Sequence, residues 1–128
     1  MNSLLLDTHA FIWFLENDSH LPVATRQYIE SADTVFVSIA SLWEIAIKLS
    51  IGKIALQSAY ETIEAGLDNA GLTLLQISFA DTLLVRHLPL HHRDPFDRII
   101  VAQAIDRDLL LVSRDRNLDS YQIQRLWK

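Results

Sequence analysis

The sequence predicts an α/β protein built on a parallel sheet, and three observations carry that reading. Short apolar runs of the kind buried within a sheet recur at residues 4–6, 34–38, 72–77 and 109–112. Segments of helical periodicity with recognisable start and stop residues separate them. Strand-type and helix-type segments therefore alternate, which requires right-handed crossovers between parallel strands. Residues 122–126 add a last, edge strand.

Taken in order, the run Leu4-Leu5-Leu6 ends in Asp7-Thr8-His9, and residues 10–15 continue as an apolar helix. Asp7 thus stands where a strand ends and a helix begins, the edge at which open parallel sheets bind ligands. Its local explanation is an N-cap, as is that of Thr8. Pro22 opens a second helix that runs to about residue 32, before the strand at 34–38. Residues 41–49 form the next helix, with Gly52 as its stop; Ser41 and Glu44 match a Ser-x-x-Glu capping box. Ser58 and Glu61 match the same box before a helix reaching residue 70, but no strand ends there, so Glu61 is expected to be structural. After the strand at 72–77, Ser78 caps a helix through His87, which Pro89 terminates, and Asp81 is likewise expected to be structural. Then comes His92-Arg93-Asp94-Pro95-Phe96-Asp97-Arg98, which opens a helix that is apolar on most sides. Pro95 suits its first position, Asp94 its N-cap and Asp97 its third position. The strand at 109–112 leads into Ser113-Arg114-Asp115, so Asp115 repeats the placement of Asp7.

Composition narrows the function classes. A chain of 128 residues fits one domain, 1–128, with a sizeable core. Its hydrophobic content of 50% is incompatible with disorder. A net charge of −5 argues against broad nucleic-acid affinity, yet allows a local basic rim. The lack of cysteine excludes disulfides and thiolate metal centres and fits a cytoplasmic protein. The N-terminal apolar run ends at Asp7 without a basic region before it, so neither a signal peptide nor a membrane span is expected.

If the sheet is parallel, Asp7, Glu44, Asp97 and Asp115 gather at one edge. Each acid alone is ordinary helix-start chemistry, but four together repel one another, and the usual remedy is a bound cation. Oxygen donors without thiolates favour Mg²⁺ or Mn²⁺. Such a site suits phosphodiester hydrolysis, which needs an activated water and a clamp for developing charge. Arg93, Arg98, Arg114 and Arg116 flank the acids and are candidates to contact phosphates; the plain alternative is solvated surface charge.

Four segments in this order, Leu4-Leu5-Leu6-Asp7-Thr8-His9-Ala10, Ser41-Leu42-Trp43-Glu44-Ile45-Ala46-Ile47-Lys48, His91-His92-Arg93-Asp94-Pro95-Phe96-Asp97-Arg98 and Val112-Ser113-Arg114-Asp115, resemble the VapC toxins of the PIN-domain family along nearly the whole chain. The resemblance implies a three-layer α/β/α sandwich with strand order 3-2-1-4-5. It implies Mg²⁺- or Mn²⁺-dependent RNA cleavage and a toxin held inactive by a VapB-like antitoxin. Family metal-site acids carry over to Asp7, Glu44, Asp97 and Asp115, with Asp94, Ser113 and Thr8 in supporting roles. Hydrogen bonding or RNA contact is the expectation for His9, His91 and His92, since oxygen ligands already furnish a hard-metal site. A homodimer is expected through part of Tyr28, Ile29, Trp43, Ile47, Leu49, Ile51 and Ile54, an apolar set larger than one sheet face covers. Two alternatives are a non-catalytic nucleic-acid- or protein-binding domain of the same fold and a phosphoacceptor receiver domain. The receiver fits poorly, because Asp7 is followed by Thr8 and no acceptor Asp follows the third strand.

Overall fold

The computed structural model describes residues 3–128. Its strands are β1 (Ser3–Leu6), β2 (Thr34–Ser38), β3 (Thr73–Leu75), β4 (Leu110–Val112) and β5 (Arg125–Leu126). All neighbours pair in parallel, in the order β3-β2-β1-β4-β5. Between them run α1 (Thr8–Leu15), α2 (Val23–Ser31), α3 (Ile39–Ser50), α4 (Ile63–Asn69), α5 (Phe79–His87) and α6 (Pro95–Asp106).

Successive strand side chains point to opposite faces. Leu4 and Leu6 enter one core with Phe11 and Ile12 of α1, Ile29 of α2, and Ile63 and Leu67 of α4. Leu5 enters the other, with Ile100, Val101 and Ala104 of α6. The central strand is thus covered on both sides, which is why it is uninterrupted leucine. The two cores make the three layers of an α/β/α sandwich. On the outer side of the second core, α5 is tied to α6 through Asp81, which is fully buried. Its carboxylate accepts from Arg107 at 2.7 Å and from Gln103 at 3.2 Å, and closes a capping box with Ser78. Burial alone would raise this carboxyl's pKa, but the Arg107, Ser78 and Gln103 hydrogen bonds outweigh it and hold the value low.

Several boundaries differ from the sequence expectation. Helix α3 begins at Ile39, capped by the Ser38 hydroxyl, which accepts from the Ala40 N–H at 3.0 Å. The Ser41–Glu44 capping box therefore does not form, and both side chains lie buried inside the helix. The Ser58–Glu61 box is absent too. Residues 60–62 make a 3₁₀ turn, α4 starts at Ile63 without a side-chain cap, and Glu61 is exposed. Strands β3 and β5 are shorter than predicted; each lies at a sheet edge with one pairing partner. Gly52 adopts φ +71° after α3, and the Lys53 N–H reaches back to the Lys48 carbonyl at 2.9 Å, an αL helix stop. Of the apolar set expected at an interface, Ile29 is buried and Leu49 and Ile54 pack on the core, whereas Tyr28, Trp43, Ile47 and Ile51 are exposed. Among the described residues no helix is long and apolar enough to cross a membrane.

Candidate metal centre

The carboxylates are set by chain ends that the sheet brings side by side. Asp7 leaves β1 with its N–H bonded to the Val112 carbonyl of β4 at 3.0 Å, and its Oδ1 accepts from the Ala10 N–H at 2.9 Å, capping α1. Ser113, at the end of β4, places its hydroxyl beside Asp7 and accepts the Asp115 N–H at 3.1 Å. Asp115 caps a 3₁₀ turn by accepting from the Asn117 N–H at 2.9 Å, which leaves Oδ2 free to face the site. Asp94 caps α6 by accepting from the Phe96 and Asp97 N–H groups at 2.9 and 3.1 Å. That cap orients the first turn of α6, and Asp97 projects from it.

Glu44 reaches the cluster from within α3. Its Oε1 accepts from the Thr8 hydroxyl at 2.6 Å, and Thr8 lies 3.0 Å from the Ser41 hydroxyl. Its Oε2 pairs with Lys48 Nζ at 2.6 Å, one turn further along the same helix. Both carboxylate oxygens of a nearly buried side chain are therefore fixed. Lys48 also feels Asp94 and Asp97, and the Glu44 hydrogen bond leads the causes that raise its pKa. Neither Lys48 nor Ser41 stood out in the sequence as a site residue, although Lys48 lies at i+4 from Glu44, the spacing of a helical ion pair.

His92 closes the opposite side. Its Nε2 lies 3.2 Å from Asp115 Oδ2 and 3.5 Å from Asp97 Oδ2. Its Nδ1 accepts from the Asp94 N–H at 3.3 Å, so the proton of the neutral ring resides on Nε2. His92 is thus placed to donate to Asp115, with Asp97 at ion-pair distance. His92, Asp97 and Asp115 together place one donor atom each within 4.8 Å of one another. His91 packs edge-on against Tyr121 instead, and His9 is an exposed ring 5.5 Å from Trp13.

Electrostatics test whether a cation fits. Burial, with repulsion from Asp94, Asp7 and Glu44, pushes the Asp97 carboxyl up to about 7 despite the pull of His92. Burial likewise raises Asp7, against the lowering effects of Ser113, the Ala10 N–H and His9. Five acids thus share a recess with one lysine and one histidine. A divalent cation matches this surplus of carboxylate charge, and binding it would offset the burial and repulsion that together raise Asp97.

The flanking arginines divide. Arg93, Arg114 and Arg116 are exposed around the rim. Arg98 is turned inward and donates to the carbonyls of Val85 and Pro89 at 3.1 Å, and of Leu88 and His92 at 3.4 Å. It ties the loop before α6 to the end of α5, so its guanidinium donors are engaged within the fold. The reason is local: at the fourth position of α6 its side chain runs back over the end of α5 and the loop that follows, where these carbonyls accept its donors.

Residues 4–123 match the PIN domain. Ribonuclease VapC22 of Mycobacterium tuberculosis is 32% identical over 98% of this chain and 96% of its own length. In fold, the chain is similar to VapBC2 of Rickettsia felis, solved bound to a DNA fragment from its promoter (TM-score 0.73, 15% identity, 98% of this chain and 99% of that one). It is also similar to DNA-bound VapBC of Salmonella typhimurium (TM-score 0.71, 17% identity, 98% of each chain). Sheet order, the clustered acids at the strand ends and the match over most of its length agree: this chain belongs to the PIN-domain family.

Proposed function

We propose that this chain is a ribonuclease toxin of a toxin–antitoxin pair, hydrolysing RNA phosphodiester bonds at the carboxylate cluster with Mg²⁺ or Mn²⁺. The observation that carries the reading is the grouping of His92, Asp97 and Asp115 within 4.8 Å, with Asp7 and Glu44 near enough to add their repulsion to the burial that raises Asp97 to about 7. These four acids would hold the cation. When bound, it supplies charge neutralisation and polarisation of the scissile phosphodiester. The chain's own part is preorganisation. Thr8 fixes Oε1 of Glu44, while Lys48 occupies Oε2 and competes with a cation for it. Ser113 and the Ala10 N–H fix Asp7, Asp94 aims the first turn of α6, and the Asn117 N–H holds Asp115. Arg93, Arg114 and Arg116 give an acidic protein a local grip on phosphates.

The relative's name, a ribonuclease, supports the substrate class. The fold's occurrence in a toxin–antitoxin complex from Klebsiella pneumoniae (TM-score 0.64) supports a VapB-like antitoxin as partner. A cytoplasmic homodimer completes the reading. Trp43, Ile47 and Ile51 form a stripe at helical spacing on the outside of α3, 61%, 39% and 59% exposed. A run of that kind on a monomer's surface marks a contact face. The test is incubation of the purified chain with end-labelled single-stranded RNA. Cleavage in Mg²⁺ or Mn²⁺ that EDTA abolishes is expected. Absence of cleavage in every divalent cation, or cleavage that persists in EDTA, would overturn the proposal.

A further inference from the structure

A cleft of about 420 Å³ opens beside the carboxylate cluster, lined by Asp7, His9, Trp13, Arg114, Asp115 and Arg116. That volume lies in the range of about 300–1,000 Å³ typical of small-molecule sites. We infer that this cleft is a subsite for one unpaired nucleotide of the substrate strand, its base against the His9–Trp13 wall and its phosphate on Arg114 and Arg116. The inference rests on the ribonuclease reading and deepens it.

Three features point there. First, the cleft shares Asp7 and Asp115 with the metal centre, so a strand whose scissile phosphate lies at the cluster continues directly into it. Second, its wall is aromatic. Trp13 rests partly on the core and is backed by His20, stacked at 5.2 Å with 20° between the planes, and by Trp127 at 6.0 Å. His9 is exposed and tilted 44° to Trp13. Third, the exposed Arg114 guanidinium sits 5.5 Å from the Trp13 ring centroid, and among the described residues it forms no ion pair with Asp7 or Asp115 nearby. Its donors remain available, and the indole beneath limits how far it wanders. Aromatic faces for bases beside cations for the backbone are the equipment of single-strand recognition, because every base offers a π-face. A duplex, whose bases are stacked inside, would present nothing to the wall.

The test pairs protein and RNA changes. A short single-stranded RNA that the protein cleaves in Mg²⁺ is measured by fluorescence anisotropy in Ca²⁺, intact and with an abasic residue at each position in turn. Against the wild-type protein, one abasic position next to the cleaved bond is expected to weaken binding about tenfold, the scale of one base–aromatic stack. Against His9→Ala and Trp13→Leu that same position should cost little. His9→Ala alters only an exposed side chain, so it keeps the test valid if Trp13→Leu folds poorly. Equal abasic penalties in wild type and His9→Ala, at every position, would overturn the subsite. Cation-dependent cleavage alongside that result would leave the ribonuclease reading standing, whereas absence of any cleavage would remove both.

Discussion

Replacing Asp97 by Asn should make the metal-free protein more stable. Its carboxyl, ordinarily near 3.8, is raised to about 7 in the fold by burial and by Asp94, Asp7 and Glu44. A raised acid binds more protons folded than unfolded, so stability falls as pH rises between those two values. Below about pH 4 both states are protonated and nothing is lost; above about pH 7 the whole penalty is present. Three pH units at about 1.4 kcal/mol each set a ceiling of about 4 kcal/mol. Asn keeps the shape and never ionises. The variant should therefore gain about 2–4 kcal/mol in EDTA at about pH 8, and nothing at about pH 4. At this chain length, 1 kcal/mol moves Tm by about 3–5 °C. Saturating Mg²⁺ should close the gap, because it binds and stabilises only the wild-type site. Thermal and urea unfolding across pH, with EDTA or Mg²⁺, read all three effects. An Asn variant no more stable than wild type at alkaline pH in EDTA, or an advantage independent of pH, would refute the repulsion argument.

Other substitutions separate structural from functional residues. Asp81→Ala strands Arg107 and Gln103 and should cost about 3–5 kcal/mol in urea unfolding, with cleavage per folded molecule retained. Arg98→Ala should lower stability by about 1–3 kcal/mol through its lost carbonyl contacts. It should leave the salt dependence of RNA affinity unchanged, whereas Arg116→Ala should flatten that slope by about one phosphate contact. Lys48→Met removes an ammonium that competes for Glu44 and should tighten Mn²⁺ binding by up to about tenfold in equilibrium dialysis, the scale of one partly screened charge. Ile47→Glu on the exposed α3 stripe should convert a dimer to a monomer in light scattering without loss of Tm.

What the sequence could carry was local. Three consecutive leucines announced a strand buried on both faces, and Asp94-Pro95 announced the start of α6, because cap and strand signals act over a few residues. Glu44 was placed at the right edge for the wrong reason. Ser41 and Glu44 imitate a capping box, but Ser38 at the strand end captures the first free N–H, and the helix starts earlier. The Arg98 contacts and the His92 bridge between Asp97 and Asp115 depend on how the loop before α6 folds over the end of β4. No spacing encodes that. The Trp13 cleft likewise joins residues more than a hundred positions apart.

The central claim is that the strand ends assemble a cation site. Anomalous diffraction from crystals grown in Mn²⁺ tests it most directly. A peak in coordination contact with Asp97 and Asp115 oxygens, flanked by Asp7 and Glu44 and missing from Asp97→Asn crystals, is the predicted result. Well-ordered crystals in millimolar Mn²⁺ with no peak there, or with the ion held elsewhere while this cluster stays bare, would contradict it.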